Sequence, residues 1–571
     1  MLSHQGDRAG RRRDLIDVER EPDGTLRLRG EPLREHAATL TELLDDAARR
    51  APDRPFLVEA GPRGAWRQVT FRTVAERSWR IAAALRELGA TPDKPVMILS
   101  GNGIEHALMT FGALRAGVPV VAVDAAAGLD AQRGFGRLRA LADVVRPAVV
   151  FARDGAAYGA AVRALALQAA FVCVTEPAAG MPSVDFSRLL AHAPPPADAV
   201  AIGPDTVAKI VFGRRRTGEA KGVVTTHGMV CSMLQGMSQA WPFLAEEPPV
   251  VVDALPWSGA FGGNAVLGIV LRHAGTLYVD RPVAAADQVE HLSGFRSVIS
   301  PTLAFDVPSG WTAWAQHVRA DDGLRRRWLS GVRMACWTGA TLQAAARDAL
   351  DSLGVPLASA WGSTEAGSVA TLTTDTEVPG EALGAPVAGV ELKLIPHEDA
   401  YEARVRGAQV TSGYWWRPDL SAAAFDGEGF YRTGDIVRPI HARAPERGIA
   451  LVSRLDGSFT LSSGVSVDGR ALRARFLAEC SDAADALVTG SGRDDVGLLV
   501  WPSADAMLLG SDLLRAQIAA AMRRLAATAR PGDAPRRALI VEDARISGPA
   551  HAPALIARLH ASEPDVEVIR V

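Results

Sequence analysis

Cysteine is scarce in this chain of 571 residues: only Cys173, Cys231, Cys336 and Cys480 occur, with no CxxC pair and no metal-ligand spacing. A disulfide framework is therefore not expected, and a reducing, cytoplasmic compartment is the natural one. Long apolar runs are missing too, since none reaches the roughly 18 uncharged residues that span a bilayer. The opening MLSHQGDRAGRRRDLIDVERE is polar and charged, without an apolar signal core. Neither charge sign dominates: 62 basic and 65 acidic residues leave a formal charge of −3. That balance gives no electrostatic reason to expect nucleic acid or an anionic membrane as partner. What is present is 48% apolar and 22% charged residues, enough for a substantial core in a chain too long for a single one.

Helical periodicity alternates with short β-rich runs from about residue 36 onward. VAERSWRIAAALRELGA predicts an amphipathic helix ending at Gly89, and IEHALMTFGALRAGV predicts another. KPVMILSGNG, PVVAVDAA, PAVVFA, AFVCVTE, VAKIVFG, TLYVD and SVIS predict strands. Strands alternating with helices imply α/β architecture, with parallel sheets covered by helices. Beyond about residue 380, GVELKLIP, YEARVRG and GFYRTGDIVRPI alternate in period two, which suggests an antiparallel subdomain. The expected organisation is a charged arm or short surface strand (1–35), a large domain (36–453) and a small α+β domain (454–571).

Four segments carry candidate chemistry. They are VFGRRRTGEAKGVVTTHG, with Thr217, Gly218 and Lys221; SAWGSTEAGSVA, with Gly362, Thr364 and Glu365; GYWWRPDLSAAAFDGEGFYRTGD, ending in Asp435; and SRLDGSFTLSSGVSVDGR, with Arg454 and Asp456. Each is modest alone, but their order and separations together are specific. The chain resembles the adenylate-forming superfamily of acyl- and aryl-CoA synthetases, peptide-synthetase adenylation domains and luciferases, from about Leu40 to the C-terminus. LSGNGIEHALMTFGALRAGVPV, LPWSGAFGGNAVLGIVLRHAGTLYVD and LVTGSGRDDVGLLVWP look like the feruloyl-CoA synthase branch of it.

The resemblance implies that a carboxylate attacks ATP to give an acyl-adenylate, from which coenzyme A thiol then displaces AMP. It implies that Glu365 holds Mg²⁺, that Thr364 contacts the α-phosphate, and that Thr217, Gly218 and Lys221 lie by the β- and γ-phosphates. Asp435 would bind the ribose hydroxyls with Arg454 beside it, Gly339 and Ala340 would flank adenine, and Asp456 would be the hinge of a mobile C-terminal domain. Trp257, Gly259, Gly262, Trp337 and Gly362 would belong to the acid pocket, with Trp361 nearby. Plainer readings stand beside these. Glu365 could cap a helix, Asp435 could be a turn residue, Arg454 could be a linker charge, and the tryptophans could be core.

The chain departs from the family pattern where the chemistry is done. Arg214, Arg215 and Arg216 fill the hydroxyl and glycine positions of the phosphate loop, and Ala220 replaces a proline. Gly259 follows Ser258 where the feruloyl branch has histidine, and Thr460 stands for a lysine. Pro549 stands where the catalytic lysine of the C-terminal loop would fall, and no lysine occurs after Lys393. Losing such a point charge typically costs about 10²–10³ in rate. The expectation is a ligase of small carboxylic acids, impaired or altered in adenylation, with CoA or a carrier protein as acceptor. The alternatives are a homologue that binds nucleotide or thioester as a scaffold or regulator, and an enzyme fed a pre-activated acyl-AMP or acyl-CoA.

Overall fold

The computed structural model describes residues 16–571 apart from 62–64, 130–134, 178–179, 195–200, 214–219, 281–297, 321–322, 324–325, 327, 329–330, 340–341, 343, 353, 374–381, 504–505, 507–510, 530–531, 542–552 and 562–566. Its largest sheet orders fifteen strands among the described residues. One half is parallel, running Leu357–Trp361, Met334–Thr338, Leu303–Asp306, Val250–Asp253, Thr276–Val279 and Pro55–Ala60 in spatial sequence. The other half is antiparallel and built from Val390–His397, Ala400–Gly407, Tyr431–Pro439 and Ile449–Arg454. Ala382–Pro386 joins the halves, pairing Thr371–Leu372 on one side and Ile449–Arg454 on the other.

A second sheet sets Val207–Phe212, Val120–Ala122, Val96–Ile98, Val149–Ala152 and Ala170–Cys173 parallel, with Gly222–Thr226 antiparallel at its edge. All twelve residues of the helix Ile104–Arg115 are buried, as for a helix covered on every side. The helix Phe71–Glu87 stops where Gly89 takes a φ of +84°, a turn glycine accepts without strain. Helix and parallel strand alternate as the sequence implies, so the chain is α/β with an antiparallel section.

The α+β region after Arg454 has its own core, with Phe476, Val500, Ile518 and Met522 packed between a four-stranded sheet and the helices Gly469–Glu479 and Ser511–Thr528. One detail differs from expectation. The run SVIS is not a strand over 298–300, where Val298 is exposed; the strand begins at Leu303. Within the expected arm, Asp17–Arg20 and Leu26–Arg29 form a hairpin that extends the large sheet beside Val390–His397, burying Leu26 and Leu28. Among the described residues no helix is long and apolar enough to cross a membrane.

Candidate functional site

Met334–Thr338 and Leu357–Trp361 are adjacent parallel strands with Thr338 beside Ala360, so the segments after them leave the sheet at the same edge. In open parallel sheets ligands bind at this carboxyl edge. Gly339 follows, exposed, with a φ of +93° and nothing within 4 Å of where a Cβ would stand. Glycine there leaves a bare backbone face against which a flat ring fits. Ala340 lies outside the described residues, as do Thr217, Gly218, the three arginines and Pro549.

After Trp361 the chain turns tightly; a Cβ on Gly362 would stand 2.5 Å from the Ser368 carbonyl oxygen. Ser363 Oγ accepts from the Ala366 amide at 3.1 Å, and the Ser363 carbonyl accepts from the Ser368 amide at 2.9 Å. The turn presents Thr364 and Glu365, both partly exposed, and leads into the strand Thr371–Leu372, so Glu365 does not cap a helix. Glu365 Oε1 accepts from the Tyr414 hydroxyl at 3.2 Å, and Lys221 Nζ lies 5.4 Å from the centre of the Tyr414 ring. The amide of Trp415 donates to the Gly222 carbonyl at 2.7 Å, fastening this segment to the strand that follows Lys221.

Asp435 is buried inside the strand Tyr431–Pro439 and pairs in register with Arg454, so it is no turn residue. Its Oδ1 meets Arg454 Nη1, while Oδ2 accepts from Trp361 Nε1 at 3.0 Å. Arg454 Nη2 also donates to the Thr433 carbonyl at 3.0 Å, and its Nε lies 3.5 Å from Asp456. Asp456 in turn accepts from the amide and hydroxyl of Ser458 at 3.0 and 2.6 Å. Thr460 ends the strand of that hairpin, its carbonyl accepting from the Gly492 amide at 2.9 Å. The third segment thus meets the second at Trp361 and holds the fourth through Asp435, and the first meets the second through Tyr414.

A neighbouring cleft, open at its mouth, is lined by His106, Thr110, Lys209, Trp257 and Ser258 together with aliphatic side chains, and its cavity volume is about 10 Å³. Lys209 Nζ donates to the Gly263 carbonyl at 2.6 Å and to Asn264 Oδ1 at 2.9 Å; burial pushes its pKa down to about 8. His106 is pushed down to about 4, chiefly by burial, and its Nδ1 donates to the Gly101 carbonyl at 3.1 Å. Its ring meets Trp257 edge-on at 5.2 Å. Gly259 and Gly262 lie at the start of the adjoining helical turn. A Cβ on Gly262 would stand 2.8 and 2.9 Å from the carbonyl oxygens of Pro256 and Leu255, and one on Gly259 3.4 Å from that of Pro256. Gly262 therefore packs on backbone rather than opening a pocket floor.

Trp337 does not line that cleft. It is buried in a cluster with Trp311, Trp314 and Trp328. Sequence reasoning missed Tyr414 and Lys209, and it set Trp361 near the acid pocket rather than against Asp435. Their signals were present: a tryptophan before GSTE, one of only five tyrosines, and a single charge inside an apolar strand.

The residues fit the groups the resemblance implies. Asp435 presents two carboxylate oxygens, acceptors of the kind that ribose hydroxyls need. Among the described residues no three His, Cys, Asp or Glu side chains form a metal cage. Mg²⁺ needs none, because one carboxylate with phosphate oxygens and water serves it, and Glu365 is such a carboxylate.

A family model described as AMP-binding enzyme matches residues 44–415, which includes Lys221, Glu365 and Tyr414. Phosphinothricin tripeptide synthetase PhsC of Streptomyces viridochromogenes is 28% identical over 426 residues, 71% of this chain but 35% of the synthetase. This chain thus matches only about a third of that relative's length. 4-Coumarate-CoA ligase 1 of Narcissus pseudonarcissus is 26% identical over 415 residues, covering 67% of this chain and 70% of the ligase. A solved malonyl-CoA ligase, in a product complex with methylmalonyl-CoA and AMP, shares the fold at a TM-score of 0.60 and 23% identity, over 86% of this chain and 96% of that one. With the family model matched over well more than half its length, this chain belongs to the AMP-binding enzyme family.

Proposed function

We propose that this protein is an acid-activating ligase of the AMP-forming type, which joins a small carboxylic acid to AMP and passes the acyl group to CoA or a carrier protein. The observation that carries this reading is the convergence of Lys221, Tyr414, Glu365, Trp361, Asp435 and Arg454 on the turn after one parallel strand. In the proposal Asp435 and Arg454 bind ribose, Gly339 and Ala340 leave room for adenine, and Thr364 contacts the α-phosphate. Thr217, Gly218 and Lys221 serve the outer phosphates. Glu365 holds Mg²⁺, which would neutralise the departing pyrophosphate. The acid enters the cleft beside Trp257 and Gly259, and Asp456 serves as hinge between the regions 36–453 and 454–571. The segment LPWSGAFGGN, similar to the feruloyl-CoA synthase branch, supports an aryl acid.

One observation favours a second reading. No lysine follows Lys393, so the family's C-terminal point charge has no lysine to supply it. A protein that binds nucleotide but adenylates slowly or not at all is consistent with that. Pyrophosphate exchange across a panel of aryl and aliphatic acids, with calorimetric titration of ATP and AMP, separates the two. Exchange with any acid is expected. AMP binding without exchange would overturn the ligase reading in favour of the second, and absence of nucleotide binding would overturn both.

A further inference from the structure

Lys209 is the one charged residue of the strand Val207–Phe212, and its ammonium meets only neutral acceptors, the Gly263 carbonyl and the Asn264 side-chain oxygen. No carboxylate pairs with it among the described residues. Two acceptors leave one N–H of the ammonium to be satisfied. The cleft holds a second donor in the same position: the Trp257 indole N–H is buried without an acceptor among the described residues. A partly buried cation beside an unpartnered donor is costly unless an anion joins them.

The titratable groups around the ammonium do not supply one. His106 and His227 both feel the charge of Lys209, and both are pushed down to about 4, chiefly by burial, so they are neutral at pH 7. Thr110, Ser258 and Asn264 carry no charge. The chain also uses lysine sparingly, four times among 62 basic residues, yet places one here. A compact ammonium suits a confined carboxylate as a point charge. Lys209 stands three residues before the end of its strand at Phe212, about 10 Å along it from where the phosphate loop begins. Measured along the strand, that sets the cation apart from the loop that would hold the phosphates.

We propose that Lys209, with the Trp257 indole, binds a second carboxylate at the far end of the acid, so that the cleft selects dicarboxylic over monocarboxylic substrates. This rests on the reading above that the acid occupies this cleft, and it names the acid's class. Calorimetry on the full chain tests it, with C3–C6 α,ω-dicarboxylates and benzene-1,4-dicarboxylate each titrated against its monomethyl ester, and AMP titrated in parallel. At least one diacid is expected to bind about tenfold or more tighter than its half-ester. Lys209→Met should abolish that preference while half-ester and AMP binding stay unchanged, and Lys209→Arg should keep part of it. Should Lys209→Met not fold, the unsubstituted protein still decides. Its diacid preference should fall between pH 7 and 9.5, as the ammonium loses its proton, while half-ester binding stays level. Equal binding of diacid and half-ester, no binding of any diacid, or a preference that survives Lys209→Met overturns the proposal. AMP binding in the same titrations reports on the ligase reading separately.

Discussion

Trp361 donates its indole N–H to Asp435 at 3.0 Å, joining two segments 74 residues apart. The bond fixes one carboxylate oxygen, while Arg454 fixes the other. The ribose ligand proposed for this site is thus oriented before any nucleotide arrives. Trp361→Phe keeps the ring and removes the donor. A hydrogen bond to a charged group is worth about 1.5–3 kcal/mol, so AMP affinity should fall roughly tenfold or more. Calorimetry reads this; unchanged affinity would show that the indole only packs.

Glu365→Gln retains an oxygen for the Tyr414 hydroxyl but removes the charge. The fold should survive, with a thermal midpoint within about 2 °C of the parent, as for substitutions outside a core. Pyrophosphate exchange should drop by about 10²–10³, the cost of losing one electrostatic stabiliser, and its response to added Mg²⁺ should flatten. Exchange that stays normal would remove Glu365 from the metal role.

Gly262 and Gly339 should respond differently to alanine. At Gly262 the new methyl meets two backbone carbonyls at 2.8 and 2.9 Å, neither able to rotate aside. Overpacking of that kind costs about 1–3 kcal/mol, visible as a lower urea midpoint. At Gly339 the methyl meets nothing, and the penalty is the roughly 1 kcal/mol of a left-handed residue. Its larger effect should fall on nucleotide affinity. Equal stability losses with no change in AMP binding would refute the distinction.

Much of this architecture was legible in the chain. Alternation of apolar helices with short β-rich runs announced a parallel sheet, and the four motifs singled out in the sequence supply residues that meet beside it. What stayed hidden depends on partners distant in sequence. Tyr414 gains meaning only when Glu365, 49 residues away, accepts its hydrogen bond, and Lys209 only when Asn264, 55 residues away, does the same for its ammonium. The glycines after Trp257 suited both an open pocket and tight backbone packing. Only the nearness of the Leu255 and Pro256 carbonyls decides for packing at Gly262.

Acid should weaken the fold through histidines that burial holds neutral, His106 and His227 among them. His106 and His227 are buried, and both are pushed down to about 4, first by desolvation. His227 Nδ1 accepts the Leu40 amide at 3.1 Å, which a protonated nitrogen cannot do. Between the folded value and the ordinary value near 6.5, the unfolded chain binds more protons, so stability rises with pH there and falls as pH drops toward 4. The slope is up to about 1.4 kcal/mol per pH unit for each group. Urea unfolding at pH 7, 6 and 5 measures it, and His227→Gln should shallow the slope. A flat profile would mean that neither histidine is held neutral.

Restoring a lysine asks which departure matters most for adenylation. Pro549 stands where the family's C-terminal lysine would fall, and the arginines at 214–216 fill the phosphate loop. Pro549→Lys supplies the point charge alone. If its loss is the limiting defect, pyrophosphate exchange should rise by about 10²–10³ with AMP affinity unchanged, because the charge acts on the reacting centre rather than on the bound nucleotide. An unchanged rate would shift the cause to the loop, where the guanidinium groups bring charge without the small residues that let backbone amides wrap a phosphate. Arg215→Gly in the Pro549→Lys background should then raise exchange where the lysine alone did not.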